Sequence, residues 1–325
     1  MALIVTGSPN NIPNDMRTLV FGKDGQLGRA FYERLGFNQN IFFFGRQDCD
    51  LFNAQSIKSH IEQLAPDQII NAAAYTAVDK AESNPKTTFA INETAVAEMA
   101  HYCQKNNKRF LHFSTDYVFD GKKSSPYVES DLCRPLNVYG QSKLAGEHAI
   151  QEVFSKKENN DIQIHNGGAF FILRTTWVYG DGTNFIRTIL RLAKERSELK
   201  VISDQFGVPT HTDWLSRLTL EMLGSDVIPA GIYHAVPAGK TSWYELARFV
   251  LRYAKEMGLT LKLDLDQLFP VPTREYPLSA KRPENSILST DKLGGFLPSA
   301  QSLLAEDWRV GVRAYIRDLH SKGLV

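Results

Sequence analysis

Short apolar runs alternate with amphipathic stretches through the first half of the chain. The runs at 17–21, 41–44, 68–71, 109–114 and 170–174 read as buried strands, each bounded by turn-forming residues. Between them the spacing predicts helices from Gly28 to about 36, from an Asn53 cap to about 64, and over 87–104. A further helix carries Tyr139 and Lys143. Strands alternating with helices predict an α/β fold with a parallel sheet covered on both faces. Beyond Arg174 the pattern changes. Residues 184–195 and 241–257 are helix-like and 199–203 strand-like. The last stretch gathers Pro270, Pro272, Pro277 and Pro283.

A chain of 325 residues is long for one core and suits about two domains. The expected division is an N-terminal appendage over 1–16, an α/β domain over 17–175, and a second region over 176–325. Some later segments are expected to return to the first domain. The polar stretch at 155–168 reads as an inserted surface loop. Hydrophobic content of 43% and charged content of 22% describe an ordinary globular protein. A formal charge of +1 argues against a nucleic-acid partner. No apolar run is long enough to span a bilayer, so no membrane association is expected. Cys49, Cys103 and Cys133 are too scattered for a redox pair or zinc knuckle and point to a reducing cytoplasm. No metal site is predicted, because His112, Asp116 and Asp120 lack a ligand spacing.

Three constellations carry chemistry. The turn Gly22, Lys23, Gly25, Gln26, Leu27 and Gly28 follows the first strand. Glycines there allow a tight turn and close approach of a pyrophosphate to a helix N-terminus; the bland alternative is a structural turn. Strand two ends at Arg46, whose fork suits a ribose 2′-phosphate, so NADPH is expected, with NADH as the alternative donor. Asp50 and Leu51 could hold the adenine, and Ala72, Ala73 and Ala74 let a cofactor lie against backbone. Strand four ends in Ser114 and Thr115, two hydroxyls at the strand end where open parallel sheets bind ligands. Tyr139 and Lys143 stand four apart, on one helix face, so the ammonium is expected to lower the phenol pKa and make it a proton donor to a carbonyl oxygen.

Several blocks in order are more specific than any one of them. They are 21–28, 71–82, 114–121, 135–143, 174–179, 204–210 and 282–286. Together they resemble the extended short-chain dehydrogenase/reductases and, among these, the dTDP-4-dehydrorhamnose reductase family. The resemblance implies a Rossmann-type doubly wound parallel sheet with a smaller C-terminal α/β substrate domain. It implies Thr115, Tyr139 and Lys143 as the catalytic set, the latter two also touching the cofactor. It implies a dTDP-sugar substrate held by Val78, Asp116, Tyr117, Trp177, Asn184 and Arg282. Trp177 could equally pack a core, and Arg282 could brace a loop. Some relatives dimerise through magnesium bound by glutamates; Ala30 falls near that place, with Glu33 a turn later, so a homodimer is an expectation without a metal site. Rival readings are a reductase or epimerase of another deoxyhexose, or an NADP-binding regulatory subunit like that of methionine adenosyltransferase.

Overall fold

The computed structural model describes residues 12–13, 15–155 and 168–325. The insert expected at 155–168 lies almost wholly outside the described residues, as do residues 1–11 and 14 of the expected appendage. Ile12, by contrast, is buried with Val20 and Phe31 beside the main sheet.

That sheet has six parallel strands. They are β1 (Thr18–Phe21), β2 (Ile41–Phe44), β3 (Gln68–Asn71), β4 (Arg109–Thr115), β5 (Phe170–Thr175) and β6 (Gly231–His234). Their order is β2-β1-β3-β4-β5-β6. In register, Phe21 lies beside both Phe44 and Asn71, and Asn71 beside His112. β1 leads outward to β2 and the chain then returns to place β3 on the other side. The order therefore reverses at the carboxyl end of β1, where such sheets bind ligands.

The central strands are apolar on both faces because helices cover both. α1 (Gln26–Leu35) lies on one face, while α2 (Ala54–Leu64), α3 (Ala95–Lys105) and α4 (Val138–Ser155) form the other layer. Leu19, Val20, Ile69, Ile70 and Leu111 are wholly buried. Each such side chain contributes roughly 1.5–3 kcal/mol of transfer free energy. Asn53 caps α2, accepting from the Ser56 N–H at 3.1 Å. The helix expected over 87–104 begins earlier, at Pro85, and contains a π turn at Ala90–Thr94 before α3. β6 was not anticipated from the pattern. It is an edge strand that opens on Gly231 and is only half buried at its start.

The second layer of the molecule packs α5 (Phe185–Glu195), α7 (Trp243–Glu256) and α8 (Trp308–Ser321) around a parallel pair of short strands, Leu199–Ile202 and Leu268–Val271. α6 (Thr212–Leu223) instead packs against α1 through Trp214, Leu215 and Leu218. Segments beyond residue 175 thus serve both halves. Among the described residues no helix is long and apolar enough to cross a membrane.

Candidate active site

The glycine turn closes at the sheet's switch point. Gly22 has φ +91°, and a Cβ there would stand 2.7 Å from the Ala73 nitrogen. Gly28 lets α1 sit directly on the turn, since its Cβ would lie 1.9 Å from the Gly22 carbonyl oxygen. Gly25 caps α1 without a side chain to take the first-turn amides. Those amides and the helix dipole suit a pyrophosphate, so the residues present fit a dinucleotide. Lys23 pairs with Asp48 at 2.5 Å, and Asp48 also accepts from the Gly45 N–H. Arg46 is exposed. The Asp50 carboxylate accepts from the Phe52 N–H, and Leu51 packs partly into the core under β2. Leu27 is buried in the core, leaving its backbone for a ligand. Gln26 reaches the other half: its Oε1 accepts from the Gly180 N–H at 2.9 Å.

The loop after β3 is held from two sides. Ala72 donates to Phe21 O, and Ala73 donates to the Asn71 side chain at 3.1 Å. Asn92, in the π turn, exchanges two hydrogen bonds with the Tyr75 backbone and donates to Ser142 of α4 at 2.9 Å. The π turn thereby ties the Ala72–Ala74 backbone region to the helix carrying Tyr139.

Asn137 starts α4 by accepting from the Gly140 N–H at 2.8 Å. Gly140 allows the helix to touch the 116–118 turn, for a Cβ there would meet the Tyr117 carbonyl at 2.2 Å. Tyr139 is consequently brought to the end of β4. The Thr115 side chain hydrogen-bonds its phenol and lowers its pKa, but burial dominates and pushes it up to about 12. Tyr117 lies edge-on to Tyr139 with centroids 5.7 Å apart, and Arg282 hydrogen-bonds Tyr117. Arg282 is paired with Asp79 at 2.6 Å, one residue beyond half-buried Val78. Asp116 accepts from Thr115 at 3.0 Å; burial pushes its carboxyl up to about 7, against hydrogen bonds from Ser286 and Thr115.

Lys143 is 1% exposed. Its Nζ lies 2.6 Å from Phe113 O and 3.0 Å from His112 Nε2. Burial draws the ammonium down to about 7, while Glu147 opposes. The expected acidification of Tyr139 by Lys143 is therefore not the effect at work here. The Lys143 head group is turned beneath the strand, onto Phe113 O and His112 Nε2, and burial governs the phenol. Below it Glu147 is fully buried and forms a two-pronged pair with Arg174, at 3.0 and 2.6 Å. Ser114 donates to the same carboxylate, which commits the rival hydroxyl to the interior and leaves Thr115 with Tyr139.

Thr115, Asp116, Tyr117, Tyr139 and Arg282 thus form one connected group. Trp177 and Asn184 sit apart from it. Trp177 adopts φ +43° and stacks on Trp243 at 3.7 Å. Asn184 caps α5 and spends its amide donors on Gly180 O and the Tyr315 hydroxyl. With Gln26 and Phe185 they line a cavity of about 110 Å³. The sequence offers no role for Asn92, Glu147 or Arg174, and offers His112 only as a metal ligand. Only the apolar neighbours of His112 and Arg174 on their strands hinted at burial.

A doubly wound sheet, an open glycine turn at its switch point, and a hydroxyl–phenol pair at the strand ends define a Rossmann-type oxidoreductase. The family model "RmlD substrate binding domain" matches residues 16–321. The dTDP-4-dehydrorhamnose reductase of Escherichia coli K12 is 41% identical over 314 residues, 94% of this chain and 98% of that protein. Solved structures agree. The chain is similar to the Clostridium acetobutylicum dTDP-4-dehydrorhamnose reductase with TM-score 0.81 and 31% identity, covering 94% and 100% of the two chains. It is similar to the Bacillus anthracis enzyme, solved in complex with NADP, with TM-score 0.79 and 32% identity, covering 93% and 99%. The chain belongs to the dTDP-4-dehydrorhamnose reductase family.

Proposed function

We propose that this protein reduces the C4 ketone of dTDP-4-dehydro-β-L-rhamnose to give dTDP-L-rhamnose, the last step of dTDP-rhamnose formation. The observation that carries the reading is the meeting of Thr115 and Tyr139 at the carboxyl end of β4, where Gly140 lets α4 touch the 116–118 turn and Tyr139 lies edge-on to Tyr117, with Lys143 one helical turn further along α4. The glycine turn would hold NADPH, which when bound would supply the hydride, and Arg46 would favour it over NADH through the 2′-phosphate. Tyr139 stays protonated at neutral pH, the form an acid must have to reduce a ketone, and gives its proton to the oxygen as charge develops there. Thr115 aligns that oxygen with the phenol. Lys143 would serve the nicotinamide ribose, which its Nζ reaches by exchanging its bonds to Phe113 O and His112. The sugar and its diphosphate draw on Val78, Asp116, Tyr117 and Arg282, with Trp177 and Asn184 closing the distal side. The enzyme works in the cytoplasm, and a second copy of the chain is its proposed partner. The test supplies dTDP-glucose, a dehydratase and an epimerase, then follows NADPH and NADH oxidation on adding this protein. No oxidation beyond the blank, with dTDP-4-dehydrorhamnose demonstrably formed, would refute the reading.

A further inference from the structure

The turn after β3 leads into a short helix, Val78–Ala81, with acids at Asp79 and Glu82. The two bind different parts of the molecule. Glu82 accepts from the Val138 N–H at 2.8 Å, where α4 begins. Asp79 takes hold of a segment about two hundred positions later. It accepts from the Ala280 N–H at 3.1 Å, and its two oxygens take the two prongs of Arg282 at 3.2 and 2.6 Å. Residues 274–279 are all exposed, whereas Ala280 is 2% exposed. The chain thus enters the interior at the point that Asp79 grips.

Beyond Ala280 the segment lies along the end of β4. Lys281 O accepts from the Asn137 side chain at 2.7 Å, and Asn137 also starts α4. Gly121, at φ +72°, leaves room for the residues that follow: a Cβ there would stand 2.6 Å from the Glu284 nitrogen. The Asn285 N–H donates to Gly121 O at 3.2 Å. Buried Ser286 then sits beside Asp116. One segment of the distal half therefore touches both the turn that follows Thr115 and the helix start that carries Tyr139.

Arg282 is the side chain that this arrangement aims. A guanidinium has five N–H donors, and three are committed to Asp79 Oδ1, Asp79 Oδ2 and Ala280 O, leaving two. Those two serve the Tyr117 hydroxyl and any ligand together. A paired grip on a phosphate needs both. Arg282 therefore cannot clamp a diphosphate with its fork and hold Tyr117 at the same time.

We infer that Asp79 is a positioning residue for the reduction and acts through Arg282: it seats residues 280–286 on the end of β4 and aims the guanidinium at Tyr117. The Tyr117 ring lies edge-on to Tyr139 with centroids 5.7 Å apart. Tyr117 is thereby fixed beside the phenol, and the sugar enters a pocket whose wall is already oriented against the proton donor. Stability is not what the pair supplies. The Asp79 side chain is 40% exposed and that of Arg282 16%, and ion pairs so open to water contribute little.

The inference deepens the proposed role of Arg282 and rests on that reading for its kinetic test. Asp79→Asn keeps the size and gives up the charge that holds the fork. In the coupled assay its kcat is expected to fall about tenfold, since small misplacements at a reacting centre are costly. Tm should stay within about 2 °C, and NADPH affinity, by titration calorimetry, within about twofold. Arg282→Met should be at least as slow. Adding Asp79→Asn to it should cost nothing more, because a residue that acts through another has no effect once that other is gone. An equal further loss in the Arg282→Met background overturns the inference. So does an Asp79→Asn protein that keeps full kcat, or one that fails to fold, which would make the pair a structural brace. A second readout needs no substrate. With ζ-¹³C-tyrosine in the full chain, and Tyr117→Phe to assign the signal, the Tyr117 resonance is expected to move in Asp79→Asn and in Arg282→Met, while Tyr233 on β6 stays where it is. A Tyr117 signal that ignores Asp79→Asn overturns the inference. If the parent protein is silent in the coupled assay, the proposed function fails and this resonance alone decides for Asp79.

Discussion

Replacing Glu147 by Gln removes one charge from the most enclosed ion pair among the described residues. The Arg174 and Glu147 side chains are 2% and 0% exposed. Gln keeps the size but turns an acceptor-only carboxylate into an amide that must place an NH₂ against the guanidinium or Ser114. The buried guanidinium retains only weaker partners: the Glu129 carbonyl, Cys133 Sγ and the Phe119 ring. Breaking a buried pair from one side costs about 3–5 kcal/mol, because the remaining charge stays desolvated. With an unfolding entropy of about 2.1 cal/mol/K per residue, a chain of this length loses about 1.5 °C per kcal/mol. The expected fall in Tm is therefore roughly 4–7 °C, measured by calorimetry at pH 7 and checked by urea unfolding with an unchanged m-value. Replacing both partners, Glu147→Leu with Arg174→Met, should recover part of the loss. A single variant melting within about 1 °C of the parent would mean that the pair is compensated elsewhere and the reasoning is wrong.

Other consequences are equally direct. Tyr139→Phe should leave NADPH affinity within a few-fold by titration calorimetry while kcat falls about 10²–10⁴-fold; an undiminished kcat would remove the phenol from the chemistry. Gly22→Ala, at φ +91° and 2.7 Å from the Ala73 nitrogen, should weaken NADPH binding by about tenfold or more, a loss of about 1.4 kcal/mol; unchanged affinity would deny the turn its role. Lys143 has a folded pKa of about 7 against an ordinary 10.5, so it burdens the fold fully below pH 7 and is relieved as pH rises toward 10.5. Lys143→Met should thus be the more stable protein at pH 6, by up to about 5 kcal/mol, with the gap closing by pH 10; a gap independent of pH in urea unfolding would contradict this.

Much of the dinucleotide half was legible because buried strands announce themselves as apolar runs between turns: 41–44 and 68–71 stand where they were expected. The glycine turn was legible for a related reason, since backbone that must double back shows in the residue type itself. Partners distant in sequence left no such trace. Asn71 and His112 are 41 residues apart and His112 and Lys143 31 apart, joined only once the sheet forms. Periodicity cannot show which way a head group turns, so Lys143 was read as facing Tyr139 when its Nζ bonds beneath the strand. Gly231–His234 escaped notice because an edge strand needs neither length nor an apolar run. Asn184 begins the helix expected at 184–195, and its capping duty follows from that position.

Gln26 has a bearing on protein engineering. It is the residue directly after the α1 cap, yet its side chain accepts from Gly180 in a segment more than a hundred and fifty positions away. The two halves are therefore stitched at the mouth of the nucleotide turn, and neither is a free-standing cassette. A chimaera that grafts a foreign dinucleotide half onto this distal half would have to import an equivalent amide at that spot, or rebuild the Gly180 loop to match its new neighbour.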